Sequence, residues 1–341
     1  MILKQLEHSS EPTQIETLLT SVENQPYWQL ATSANTRKAY QSDIRHFRIA
    51  GGLLPTTTES VLHYLNQQAS LVNPRTLKRR LVAIKHWHTY QNFPDPTSHP
   101  LVKKTLSGIA RTHGKPAEKA AVISVEQLIA LSSRLISKAT LAALRDNALL
   151  LLGFFGAFRR SELVAMSWQQ ITFVPEGIEI LISRSKTDPE GEGNICAIPY
   201  GQSPLCPITA LKQWQEQAGL SEGFVFRAVR HGKCDSQKGL APKTVSNIIK
   251  HHAIECQWPN ATDYSGHSLR RGFATAASQR GASLGAIMRQ VRWRHEGTVH
   301  GYIEEGKRFE ANAAGAILER PTPSVAPTHS NNPHTLNTQD Q

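Results

Sequence analysis

Nothing in the 341-residue sequence comes near the roughly 18 consecutive apolar residues that a membrane-spanning helix requires, and the opening MILKQLEHSSEP lacks the charged-then-apolar pattern of a signal peptide. Both absences lead to the expectation of a cytoplasmic protein with no membrane partner. Cysteine is sparse: Cys196, Cys206, Cys234 and Cys256 form no C-x-x-C pair and have no H-x-x-x-H nearby, which argues against a zinc site and against a disulfide framework. No metal and no other cofactor is expected. Acidic residues are missing from one long stretch. Between Glu59 and Glu118 the only acid is Asp95, against Arg75, Lys78, Arg79, Arg80, Lys85, Lys103, Lys104, Arg111 and Lys115.

A solvated helix face ordinarily mixes both signs, so a segment this one-sided is expected to neutralise phosphates, with an affinity that falls steeply with salt. The net charge of +11 agrees with a polyanionic partner without proving one. The plainer alternative is a surface that is merely soluble.

The chain is long enough for two domains with their own cores, and its 39% hydrophobic content is ordinary for a globular protein. From 25 to 113 the periodicity is helical. TRKAYQSDIRHFRIAG carries Tyr40, Ile44 and Phe47 at helical spacing, and NPRTLKRRLVAIKHWHTYQNF opens with Asn73 as N-cap and Pro74 in the first turn. The second stretch places Leu77, Leu81 and Ile84 on one face and most of its basic residues on the other.

RTHGKPAEKAA, from 111, has little to bury, and 114–121 reads as a linker. A second domain is expected over 122–320. SVEQLIALSSRL begins it with a capping box of Ser124 and Gln127, and LRDNALLLLGFFGAFRRSELVAM reads as one buried helix turning polar at Arg159. GIEILISRSKTDPEGEGNICAIPYG then alternates, as a small antiparallel hairpin or meander does. Helices resume with PKTVSNIIKHHAIEC, GHSLRRGFATAASQRG and SLGAIMRQVRW, the last with Leu284, Ile287, Met288 and Val291 on one face. Residues 1–24 form an extension, and the polar, proline-rich 321–341 is expected to be disordered. The fold class is therefore mainly α, with a helical N-terminal domain and a mixed α/β second domain containing a small antiparallel sheet.

Three short motifs hold residues able to do chemistry: GAFRRSEL, SRSKTD with Lys186, and GHSLRRG, where His267 and Arg270 share a helix face. Each alone has a plain explanation, since arginines at helix ends serve the dipole and a single histidine is more often structural. Taken in order, they resemble the tyrosine recombinases, the phage integrase family. R-x-S-E-L phases as Arg159, Ser161, Glu162 and Leu163, with Arg160 as a neighbour; H-x-L-R falls on His267, Ser268, Leu269 and Arg270, with Arg271 as its twin. The family's hairpin lysine falls on Lys186. Its nucleophilic tyrosine follows a histidine or tryptophan by nine positions, which Trp293 and Tyr302 satisfy and His295 does not. Most relatives carry Gly-His where this chain has Arg292-Trp293, and a tryptophan there resembles the Cre recombinase subgroup. Packing against the apolar face of its own helix is the other reading of Trp293.

The resemblance implies a core DNA-binding domain over 25–113 and a catalytic domain of the DNA breaking-rejoining type. It also implies Arg159, Lys186, His267, Arg270, Trp293 and Tyr302 as the catalytic set, with Glu162 in support. Those residue types suit the reaction. Forked guanidinium groups match the two non-bridging oxygens on which charge grows in a five-coordinate phosphorus transition state. Tyr302 would be the nucleophile, His267 the base that takes its proton, and Lys186 the acid that protonates the leaving 5′ oxygen. Trp293 can donate one hydrogen bond but cannot shuttle a proton.

The implied partners are a double-stranded DNA target site and three further copies of the chain, a homotetramer on DNA and a monomer or dimer when free. Arg75, Lys78, Arg79, Arg80 and Lys85 from the first domain, and Lys243 and Lys250 from KTVSNIIKHH, are the expected DNA contacts. With no room for an arm-binding domain before residue 25, a simple recombinase is expected. The amphipathic 307–320 could dock on a neighbouring protomer or on its own. Two other functions share these features: a type IB topoisomerase, and a non-catalytic DNA-binding protein on a recombinase scaffold.

Overall fold

The computed structural model describes residues 31–116, 118–183 and 193–294, with 296, 297, 301, 314 and 318 as isolated positions beyond them. Lys186, His295, Tyr302, the 307–320 stretch apart from 314 and 318, and both chain ends lie outside the described residues. The chain divides into two compact units, Met1–Glu118 and Lys119–Gln341.

The first unit holds α1 (Ala34–Ile49), α2 (Thr58–Gln68), α3 (Pro74–Thr89) and α4 (Pro100–His113). Polar side chains start each one: Ser33 caps α1, Thr57 caps α2, Asn73 with Pro74 opens α3, and His99 with Pro100 opens α4. Leu77, Leu81 and Ile84 of α3 are buried with Phe47, Tyr64 and Val102. Ile44 packs at the edge of this cluster. Tyr40 is half-buried and stacks on His86 instead, 5.4 Å between ring centroids.

One charge departs from the amphipathic pattern. Asp43 is buried on the inner side of α1 and takes two hydrogen bonds of 2.8 Å from Arg79. Arg80 lies 3.7 Å from the same carboxylate and donates to the Tyr64 hydroxyl at 3.0 Å. Arg80 is therefore turned inward rather than lying on the basic outer face with Arg75, Lys78 and Lys85. The buried carboxylate takes its donors from Arg79, and the buried phenol takes one from Arg80, whose charge also stands beside Asp43.

The second unit is built around α6 (Leu141–Phe155), which is buried on all sides. It packs between α5 (Val125–Lys138), α8 (Pro207–Ala218) and α10 (Gly266–Gln279). Gly153 permits the approach of α10, since a Cβ there would stand 2.8 Å from a methyl of Leu269. The Ser124–Gln127 capping box is present at the start of α5, with both bonds near 3 Å. Between α6 and α8 runs an antiparallel meander of β1 (Ile171–Val174), β2 (Gly177–Ile182) and β3 (Asn194–Pro199). Its register pairs Ile178 with Ile198 and Ile180 with Cys196, which puts the apolar residues of alternate positions on the core side. A two-stranded ribbon, β4 (Arg227–Arg230) and β5 (Lys233–Gly239), precedes α9 (Pro242–Glu255), α10 and α11 (Leu284–Val291).

A polar bridge ties α9 to the central helix. Arg145 grips Asp146 Oδ1 at 2.7 and 2.9 Å, and His252 Nε2 donates to Oδ2 at 2.9 Å, all of it buried.

The long helix expected over 144–166 is two. α6 ends at Phe155, the chain turns through Gly156, Ala157 and Phe158 with Ala157 in the left-handed region (φ 45°), and α7 (Arg160–Ala165) starts afresh. The Phe158 ring folds back over Gly156, so close that a Cβ on the glycine would overlap it. The break places Arg159 at the beginning of a helix instead of at the end of one. The architecture as a whole is mainly helical with small antiparallel sheets in the second unit, as the sequence implies.

Candidate active site

The turn at 156–158 positions the first arginine. Arg159 is the N-cap of α7, and the Glu162 carboxylate reaches back to it twice: Oε2 accepts from the Arg159 backbone N–H at 2.9 Å, and Oε1 accepts from its guanidinium at 2.6 Å. This is one half of a capping box, the third helical residue bonding the cap's backbone N–H, and the same carboxylate also holds the cap's side chain. Arg160, one residue on, leaves in another direction and donates to Ser246 Oγ of α9 at 3.0 Å.

The other arginine comes from α10. Ser265 and Ser268 cap this helix reciprocally, which sets His267 and Arg270 in its first two turns. Gly266 is required by its neighbour: a Cβ there would overlap the aliphatic stem of Arg160. Arg270 is buried and donates to the carbonyl of Ala157 at 2.7 Å, so the turn before Arg159 and the arginine of α10 are joined directly. Arg271 is buried too, but bonds the carbonyl of Ala120 and anchors the start of the unit.

Trp293, just past α11, packs with a small cluster of Ala157, Ala274, Ile287 and Val291. Its ring lies under the Arg270 guanidinium, 5.3 Å from carbon to ring centroid, a cation–π distance. It thus packs on the apolar face of α11 and touches the arginine of α10 as well.

Charge shapes the two titratable groups here. His267 is open to solvent on one side. The protein mass behind it, and then the charges of Arg160, Arg270, Arg159 and Arg271, hold its pKa below the ordinary histidine value. It is therefore a neutral imidazole at pH 7. Burial pushes the Glu162 carboxyl up, but the Arg292 charge, the Arg159 backbone N–H and the Arg159 guanidinium outweigh it, and the group stays ionised below the usual carboxylate range.

The structure thus brings together Arg159, Glu162, His267, Arg270 and Trp293. Lys243 is exposed and Lys250 half-exposed on α9, the helix whose Ser246 meets Arg160. Arg75, Lys78, Arg79 and Lys85 are exposed on α3 of the other unit. Sequence reasoning missed Arg292, whose guanidinium bonds Glu162 and the 156–157 carbonyls; an arginine after an apolar helix gives no sign of this.

Among the described residues, one group has metal-ligating atoms that converge: His251, His252 and Glu255 on α9. Glu255 is already bonded by Arg134 at 3.0 Å and Lys138 at 3.3 Å, so its negative charge is met by side-chain cations, and the cluster reads as an ion-pair network. It belongs to the far end of α9 from Ser246.

A neutral imidazole ringed by guanidinium groups, on a mainly helical unit with a small meander, is an arrangement able to hold an anion and accept a proton beside it. Residues 122–308 match the phage integrase family. An integrase/recombinase xerD homolog of Selenomonas ruminantium is 37% identical over 295 residues, covering 84% of this chain and 86% of that protein. The fold is shared with the XerH site-specific recombinase bound to a palindromic difH substrate (TM-score 0.57, 16% identity, 79% of this chain and 74% of that one). It is also shared with the Tn1549 transposon integrase in complex with transposon right end DNA (TM-score 0.54, 14% identity, 90% and 98%). The chain belongs to the phage integrase family and is a tyrosine-type site-specific recombinase.

Proposed function

We propose that this recombinase cleaves and rejoins duplex DNA through a 3′-phosphotyrosyl intermediate on Tyr302, within a tetramer that synapses two sites. The observation that carries the proposal is the junction of Arg159, Arg270 and His267 about the Ala157 turn. One guanidinium held by the Ala157 carbonyl and another held by Glu162 just after that turn suit the two non-bridging oxygens of a single phosphodiester, and both are fixed before substrate arrives.

In the reaction, the Tyr302 oxygen attacks phosphorus and the bond to the 5′ oxygen breaks. The phenolic proton passes to neutral His267, and Lys186 protonates the departing 5′ oxygen to give a free 5′ hydroxyl. The phosphodiester is replaced by a phosphotyrosyl ester of similar energy, so no nucleotide cofactor is needed. A 5′ hydroxyl from a second strand then reverses the step on a new partner. Trp293 stands where a second histidine would, as in the Cre subgroup, and its contact with Arg270 supports a role in steering that guanidinium.

Duplex DNA as partner is supported by the basic outer face of α3, where Arg75, Lys78 and Lys85 are exposed, and by the DNA complexes of XerH and the Tn1549 integrase. Residues 25–113 serve as the core-binding domain and 122–320 as the catalytic domain. Lys243 and Lys250 add phosphate contacts from α9.

A nicked suicide substrate tests the proposal. Wild-type protein should form a covalent adduct that survives denaturing electrophoresis, and Tyr302→Phe should form none while still shifting the duplex in a native gel. An adduct that persists in Tyr302→Phe would assign the nucleophile elsewhere.

A further inference from the structure

Arg292 sits between α11 and Trp293 with φ 55° and ψ 49°, in the left-handed region that glycine enters freely and side-chain-bearing residues do not. Ending the helix calls for nothing more than glycine. This position instead carries an arginine whose side chain is only 7% exposed. Its guanidinium fills the turn that precedes Arg159. Both terminal nitrogens donate to the Gly156 carbonyl at 3.1 Å, and one of them also to the Ala157 carbonyl at 3.2 Å and to Glu162 Oε2 at 3.2 Å. The other returns to the Gln290 carbonyl at 2.9 Å, and the plane lies over the Phe158 ring at 4.9 Å.

We propose that Arg292 is a positioning residue for cleavage, acting through Glu162 to fix the Arg159 guanidinium and through the Ala157 carbonyl to register it against Arg270. The inference rests on the proposed role of Arg159 in phosphate binding. Glu162 divides its carboxylate between the two arginines: Oε1 to the Arg159 guanidinium, Oε2 to the Arg159 backbone and to Arg292. A carboxylate that is 5% exposed needs both. The charged or titratable groups facing it are Arg159 at the start of α7, Arg292 after α11 and the Cys196 thiol of β3.

With Arg292 gone, burial favours the protonated acid, which gives up its second acceptor and releases the Arg159 side chain. The Ala157 carbonyl is shared by Arg270 and Arg292, and the next residue, Trp293, lies under Arg270. The end of α11 therefore reaches Arg159 through Glu162 and Arg270 through Trp293, from consecutive residues.

The test compares Arg292→Gly, Arg292→Lys, Glu162→Gln and the Arg292→Gly/Glu162→Gln double variant. Single-turnover cleavage of the suicide substrate, duplex affinity and thermal melting are measured on each full-length protein. Arg292→Gly should bind duplex with little change and cleave about 10- to 100-fold more slowly, the scale expected of a misplaced binding group. Lysine should restore little, because it lacks the fork. The double variant should cleave no more slowly than the slower single one.

Multiplying losses, or a lowered melting temperature with wild-type cleavage, would overturn the proposal and leave Arg292 as a plain structural cap. A readout independent of catalysis is the NMR signal of the Arg159 guanidinium in DNA-free protein. Its N–H groups should be held in wild type and motionally averaged in Arg292→Gly; equal signals would also overturn the proposal. Wild-type protein that shows this difference but forms no adduct would instead count against the recombination chemistry.

Discussion

Burial and then four arginines lower the proton affinity of His267, and the arginine share can be measured. Protein mass and the charges of Arg160, Arg270, Arg159 and Arg271 all lower its pKa, so the neutral imidazole persists below the ordinary value of about 6.5. The acid limb of kcat/KM for cleavage should therefore lie below that pH. Arg160→Ala removes one positive charge, eases protonation and should move the limb upward; a limb that does not move would deny the electrostatic coupling.

Arg159→Ala should slow cleavage by about 10²- to 10³-fold, the usual cost of losing one transition-state donor. Arg160→Ala should cost far less under the same single-turnover assay, because its side chain is committed to Ser246. Equal losses would undo the assignment. At this scale the sequence was informative where roles depend on short spacing. Arg159 and Glu162 meet because they are three apart, and His267 and Arg270 share a face for the same reason. Arg292 was illegible because its partners lie more than a hundred residues away in the chain, and its left-handed backbone leaves no mark on composition.

Helices behave differently from residues, because their ends are decided by tertiary contacts. Apolar residues continue without interruption from α6 through Phe158, so the periodicity alone extends one helix to 166. What ends α6 is the Ala157 conformation, with its carbonyl taken by Arg270 and Arg292 and Phe158 folded over Gly156. The meander was easier to read, since Ile178, Ile180 and Ile182 alternate inward.

α9 offers a test of element-level electrostatics. Burial raises the Glu255 pKa, but the Lys138 hydrogen bond and the charges of Arg134 and His251 prevail and hold it at about 2, against an ordinary 4.5. A carboxyl whose pKa is lowered on folding stabilises the protein above its unfolded value and loses that contribution as pH falls toward its folded value. Glu255→Gln should thus lower the melting temperature at pH 7, by a margin that shrinks between pH 4.5 and about 2. A margin that stays constant over that range would mean that α5 and α9 are not joined by this ion pair.

At the scale of the molecule, charge and chemistry are separated. The basic stretch from 60 to 117 belongs to the unit that ends at Glu118, and the arginine–histidine site to the other. The sequence carried this division through its one-sided charge. It could not show that Asp43 would be buried, bonded by Arg79 and with Arg80 turned inward beside it, since a single acid thirty-odd residues away looks like any surface charge.

DNA affinity should fall steeply with salt. Replacing Arg75, Lys78 or Lys85 by glutamine should flatten the log–log salt slope by about one for each phosphate no longer neutralised, while leaving the rate of cleavage at saturating protein unchanged. Arg80→Gln should act instead on the stability of the first unit, because it strips a donor from buried Tyr64 and a positive charge from beside buried Asp43. An unaltered melting temperature in Arg80→Gln would contradict that reading.

The most direct measurement is peptide mapping of the trapped protein–DNA adduct, formed in chelator and digested for mass spectrometry. The arginine-and-histidine account predicts a single linkage, from the oxygen of Tyr302 to a 3′ phosphate, formed at full rate without divalent ions. A 5′ linkage, a phosphate on any other side chain, or an adduct that appears only when a divalent metal is restored would contradict it.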